Sequence, residues 1–295
     1  MPKLFRGGRV PAADPGDGEM AFPSPHGGTP AASRLPWRLP DEPALSGIAA
    51  DAVSVGALTV RAASMVGPGH RCEEPAVPRQ DAYRLGRDEA KKFLIVAVAD
   101  GMSDSRRSHL GANVAVAALV GRLRTELAAD VPLDAATLFL EASRQMAGTA
   151  EHHGVTEHDV RAAVLAAVIP VSSDADGGRE VWLASVADVG AWLRRPAGWQ
   201  RLIGEEKSGL DSGRLARFLP FHPDQAECTT VRLEPGSVLA FTTDGVGDAF
   251  AGGSGSWFAE RWARPPHIAS FVREVGYEAD GQLDDRTAVV VWCDR

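Results

Sequence analysis

The chain has 295 residues, 31 of them Lys or Arg and 39 Asp or Glu, for a formal net charge of −8. That length suits one large domain or two small ones with a substantial core, and the acidic balance argues against nucleic acid as the main partner. No apolar run approaches the ~18 residues of a membrane span. The start, "MPKLFRGGRVPAADPGDG", has no apolar signal-peptide core. Cys72, Cys228 and Cys293 lack metal-ligand spacing, so they read as reduced thiols of a cytoplasmic protein.

Residues 1–45 hold nine of the 20 prolines and six glycines, with almost no aliphatic periodicity. Such a stretch buries too little apolar area to offset its ordering entropy. Residues 1–50 are therefore expected to be a disordered Pro/Gly-rich arm ahead of a globular domain over 51–295, and deleting residues 1–45 is expected to leave folding and turnover almost unchanged. Strand patterns follow at 55–63, 93–99, 160–169, 180–187, 190–194, 229–233, 237–243 and 287–293. The alanines of "VRAAVLAAVI" (160–169) suit a helix as well as a strand. Two helices lie between: Ala112, Val116, Leu119, Leu123 and Leu127 mark one apolar stripe, and Phe139, Ala142, Met146 and Ala150 another. Shorter helices are expected at 257–263 and 267–275. Strands, a helical pair, then strands joined by short turns indicate an α+β layered domain rather than a parallel βαβ alternation.

In "FLIVAVADGMSDS" (93–105) a charge-free run suited to a strand buried on both faces ends in Asp100-Gly101. Asp-Gly is a common hairpin pair, yet a polar loop and a helical pattern follow it. Two readings stay open: a turn, or a carboxylate holding a cation where glycine lets the backbone come close. The same pair recurs at Asp244-Gly245 in "VLAFTTDGVGDAF"; Asp284 and Asp285 precede the last strand, Asp81 starts an extended segment, and Asp188 sits at an expected hairpin. If these strand ends converge, their charges repel strongly unless cations lie among them. Carboxylates, carbonyls and water suit Mg²⁺ or Mn²⁺ rather than zinc.

"QDAY", "VADGMSDSRRSHLGA", "ADVGAWLRR", "AFTTDGVGDAF" and "DDRTAVVVW" occur in the order and spacing of the PP2C-like metal-dependent serine/threonine phosphatases. The chain resembles the compact bacterial branch of that family over about residues 55–295. The resemblance implies a four-layer αββα sandwich with a dinuclear Mn²⁺ or Mg²⁺ centre, and hydrolysis of phosphomonoesters by a metal-activated water. It implies a phosphorylated protein as substrate, the target of a Ser/Thr kinase. By position, Asp100 resembles the bridging carboxylate and Gly101 the residue lending a carbonyl. Asp244 and Asp284 resemble further ligands, with Asp285 as a second choice, and Asp81 the acid that holds a metal-bound water or binds directly. Asp188 and Asp248 resemble ligands of a weaker third ion. Departures are Gln80 in place of an acid, Ala76 where an Arg commonly grips phosphate, and "ADVG" for "GDSR". Arg71, Arg79 and His70 are the candidates to replace that Arg. The region between "GWQRLI" and "TTDG" looks short for a substrate-facing flap. A catalytically weak pseudophosphatase that binds phosphoproteins or serves as a scaffold is the alternative reading.

Overall fold

The computed structural model of the chain describes residues 22–27, 30–205 and 217–293. Its strands and helices run β1 (Ile48–Val55), β2 (Leu58–Met65), α1 (Pro68–Cys72), β3 (Ala82–Arg87), β4 (Phe93–Gly101), α2 (Ser108–Ala128), α3 (Ala135–His152), β5 (Ala162–Pro170), β6 (Arg179–Val186), β7 (Gly190–Arg195), β8 (Gly198–Ile203), β9 (Glu227–Leu233), β10 (Val238–Thr242), α4 (Asp244–Ala251), α5 (Gly255–Arg261), α6 (Ile268–Val275) and β11 (Arg286–Cys293). Two antiparallel sheets result, ordered β1-β2-β11-β10-β7-β8 and β3-β4-β5-β6-β9.

Strand alternation builds the layers. Leu94, Val96 and Val98 of β4 join Leu58 and Val60 of β2 and Val289 and Val291 of β11 in the core between the sheets. Ile95, Ala97 and Ala99 face the other way, onto Ala112, Val116 and Leu119 of α2 and Phe139 and Met146 of α3. On the far sheet Ala240, Val290 and Trp292 pack against α4–α6 through Val246, Phe258, Trp262 and Phe271. The expected αββα sandwich is what the chain adopts. The alanine-rich 160–169 run is a strand, because β5 is central in its sheet: Ala163, Leu165 and Ala167 point into the inter-sheet core and Ala162, Val164 and Ala166 toward the helices.

The structure corrects three local expectations. The run at 55–63 spans a hairpin turn, with Gly56 at φ +58° between β1 and β2; a two-residue hairpin loop reserves such a position for glycine. Asp188 is not in a hairpin, since β6 and β7 belong to different sheets. The chain crosses between layers there, and Ala187 takes φ +73°, a conformation that costs a residue with a Cβ about 1–2 kcal/mol.

The third concerns the arm. Residues 1–21 lie outside the described residues, but much of the rest of 1–50 is fastened to the domain and β1 begins at Ile48. The Phe22 ring lies against Gly276 and stacks on Trp37 at 6.2 Å. Glu278 N donates to Pro23 O at 3.0 Å, Arg38 N to Arg71 O at 3.0 Å, and Arg107 pairs with Glu42 at 2.5 Å. Aromatic and ion-pair contacts offset the ordering entropy that composition alone leaves uncovered. Deleting residues 1–46 is therefore expected to destabilise the protein by roughly 2–3 kcal/mol, about 5–10 °C in Tm for a chain of this size. A truncated protein melting with the full chain in calorimetry would show these contacts to be inconsequential.

Candidate metal centre

Five chain segments bring carboxylates to one end of the sandwich. Asp81 precedes β3, Asp100 closes β4, Asp188 lies on the β6–β7 crossing, Asp244 opens α4, and Asp284 and Asp285 precede β11. Glycine follows Asp100 and Asp244 because other chain segments press close. A Cβ on Gly101 would sit 2.8 Å from Gln80 O, and one on Gly245 only 2.0 Å from Asp285 O. This resolves the Asp-Gly question: neither pair is a hairpin turn, and each glycine lets an acid-bearing segment abut another.

Electrostatics confirms the convergence. Burial first, then the charges of Asp244, Asp81, Asp188 and Asp284, push the Asp100 carboxyl well above its ordinary range. Asp81 is raised in the same way, by burial and by Asp285, Asp284 and Asp244, against an opposing hydrogen bond from Thr243. Asp284 is raised by burial and Asp244, with His70 opposing. Such a cluster favours bound cations or retained protons. Its donors are mainly hard oxygens, which fits Mg²⁺ or Mn²⁺.

A polar network outside the sequence reading fixes Asp81. Thr243 Oγ1 and Thr287 Oγ1 donate to Asp81 Oδ2 at 2.7 and 2.8 Å. Since Thr287 has one hydroxyl hydrogen, Ser64 Oγ must donate to it across their 2.6 Å contact. Arg79 Nη1 in turn donates to Ser64 Oγ at 2.6 Å, so the donors run Arg79, Ser64, Thr287, Asp81 in one direction. The Thr in "TTDG" and in "DDRT" was the available signal for two of these residues.

Asp285 is also tied into the fold by hydrogen bonds. Its Oδ1 accepts from Gly67 N at 2.6 Å and lies 2.9 Å from His70 Nδ1, and its Oδ2 accepts from Gln80 N at 2.5 Å. Both oxygens are engaged in tying the segments before α1 and β3 to β11. His70, Asp284 and Asp285 offer donor atoms within 4.8 Å of one another. Burial lowers the His70 pKa, but the hydrogen bond and charge of Asp285, with Asp284 and Asp81, outweigh it and raise it to about 9. In the metal-free chain these carboxylates therefore favour the protonated imidazole, a cation beside the acids.

The other phosphate candidates are committed elsewhere. Arg71 is 3% exposed and pairs with Glu278 at 3.2 Å, beneath Trp37. Arg79 donates to Ser46 O, Ser64 Oγ and Asp81 O. Neither is free to grip a substrate, because burial demands their full pairing. His70 lines a recess of about 400 Å³ with Asp244, Asp248 and Asp284. Asp248 is exposed one turn beyond Asp244 on α4, whereas Asp188 acts on Asp100. The short-flap expectation concerns residues 204–241, of which 206–216 lie outside the described residues; much of the remainder is taken up by β9 and β10.

The fold and this acid cluster define a two-sheet αββα scaffold with a candidate cation centre at one end. The family model of Protein phosphatase 2C matches residues 67–274, and the chain belongs to that family. Among solved structures, the S. agalactiae serine/threonine phosphatase is 13% identical with TM-score 0.57, the match covering 80% of this chain and 100% of that one. The Mycobacterium tuberculosis serine/threonine phosphatase PstP/Ppp is 16% identical with TM-score 0.54, covering 81% and 99%. A PstP catalytic domain in complex with two manganese ions is 18% identical with TM-score 0.53, covering 81% and 99%. No curated protein matches the sequence significantly. Among the described residues no helix is long and apolar enough to cross a membrane.

Proposed function

We propose that this protein is a metal-dependent phosphatase that hydrolyses phosphoserine and phosphothreonine monoesters on protein substrates phosphorylated by a Ser/Thr kinase. The observation that carries the reading is the convergence of Asp81, Asp244 and Asp284 on Asp100, whose proton affinity all three raise. Mn²⁺ or Mg²⁺ bound among them would supply an acidified water and charge neutralisation for the phosphoryl oxygens. Asp100, Asp244, Asp284 and the Gly101 carbonyl are the groups that would hold the ions, with Asp188 and Asp248 for a weaker third. The two hydroxyls on Asp81 Oδ2 fix its carboxylate, so it meets incoming water in one orientation. His70, the one basic residue lining the recess among its described walls, places positive charge where an anionic phosphate must enter. Retention of the acids at the ligand positions favours turnover over a binding-only pseudophosphatase.

Hydrolysis of p-nitrophenyl phosphate and of a phosphothreonine peptide should require added Mn²⁺ or Mg²⁺ and vanish with EDTA. Full activity of stripped protein kept in chelator would overturn the proposal.

A further inference from the structure

The arm segment and the metal centre meet at α1. Arg71, in that helix, donates through Nη2 to Ala32 O at 3.2 Å and to Glu278 Oε1 at 3.2 Å. The Trp37 ring covers its guanidinium at 4.2 Å, and Arg38 N donates to Arg71 O. Glu278 is gripped from the same side: Ser33 Oγ donates to its other carboxylate oxygen, and its backbone N–H donates to Pro23 O. So residues of the arm hold both partners of an ion pair whose side chains are only 3% and 4% exposed.

Each partner leads within a few residues to the centre. His70, beside Arg71, touches Asp285. Gly67, at the start of the same helix, donates to Asp285, while Gly69 N donates to Leu283 O at 2.8 Å. Glu278 lies in the segment that ends at Asp284 and Asp285. Helix α1 has only five residues and too few internal hydrogen bonds to hold its own place, so its position is set by what clamps it.

We propose that arm residues Pro23, Ala32, Ser33, Trp37 and Arg38 form a strap that positions the metal centre, by clamping Arg71 and Glu278 so that α1 and the Asp284–Asp285 loop keep one spacing. Trp37 and Ser33 are positioning residues: they act through Arg71 and Glu278 and touch no candidate ligand. The strap lies outside the segment matched by the family model. This inference rests on the metal-centre reading above.

The test uses the full chain and measures Mn²⁺ binding by isothermal titration calorimetry without substrate, with melting temperature and kcat at saturating Mn²⁺ alongside. Trp37→Ala is expected to weaken Mn²⁺ binding about five- to tenfold while leaving kcat at saturation within about twofold, since preorganisation acts on binding. Trp37→Phe, which keeps a ring over the guanidinium, should restore most of the affinity. Ser33→Ala should weaken binding in the same direction and serves if Trp37→Ala folds poorly. Leu138→Ala, on the core-facing side of α3, should lower the melting temperature and keep wild-type affinity, separating positioning from general stability. Folded strap variants with wild-type Mn²⁺ affinity, or a loss equalled by Leu138→Ala, would overturn the strap and leave the phosphatase reading intact. A wild-type chain that bound no Mn²⁺ would overturn both.

Discussion

Replacing Asp100 by Asn is expected to lower kcat about a hundredfold or more, the scale of losing about 3 kcal/mol of transition-state stabilisation. Asp100 is half-buried and feels the charges of Asp244, Asp81, Asp188 and Asp284, so it stands at the focus of the cluster, the position proposed for the bridging ligand. Neutralising a carboxylate that bridges two cations would weaken the hold on both together. Asp188→Asn should cost much less and recover in part at high Mn²⁺, because Asp188 is assigned only to the weaker third ion. Both variants should remain folded, since one fewer clustered carboxylate relieves repulsion in the metal-free chain. Steady-state kinetics against Mn²⁺ concentration, with circular dichroism to verify folding, decides the matter. Near wild-type turnover of folded Asp100→Asn at low Mn²⁺ would show that the bridging assignment is wrong.

Metal-free protein should lose stability as pH rises, and Mn²⁺ should reverse that trend. The Asp100 and Asp81 carboxyls are raised well above their usual 3.8 by burial and by neighbouring acids. A carboxyl raised on folding binds its proton more tightly in the native state. Its contribution is complete below about 3.8 and is lost as pH climbs through the higher native value. His70, raised to about 9, works in the same direction, with stability present below its usual 6.5 and lost as pH rises through about 9. Chelated protein should therefore melt at lower temperature at pH 8 than at pH 6, and chelated Asp100→Asn should melt above wild type at pH 8. Mn²⁺ at a hundred times its Kd adds about 2.7 kcal/mol, roughly 5–10 °C in Tm at this size. A melting temperature of the chelated wild type that rose between pH 6 and pH 8 would contradict the clustered-charge account.

These expectations draw on the chain and the fold in unequal parts. The sequence by itself determined the layers: the double-faced apolar run of β4, the 3.6-residue stripes of α2 and α3, and the five acidic motifs in family order are local patterns, and local patterns survive without tertiary context. The acids at positions 81, 100, 244 and 284 were legible because each ends or begins an apolar strand. Contacts across the molecule were not. Nothing near Asp81 in the chain announces that Thr243 and Thr287 hold its Oδ2, more than 160 residues away. Arg71 and Arg79 look like phosphate ligands as isolated charges, and only the packing shows both guanidiniums buried in other bonds. Asp285 reads as one more acid until Gly67, His70 and Gln80 are seen to occupy its two oxygens. Residues 22–27 and 30–46 have the composition of a disordered segment, and what orders them is the Arg71–Glu278 pair and the Gly276 surface supplied by distant parts of the domain. Composition reports what a segment can bury within itself; the tertiary structure decided what the rest of the chain offers it to bury against.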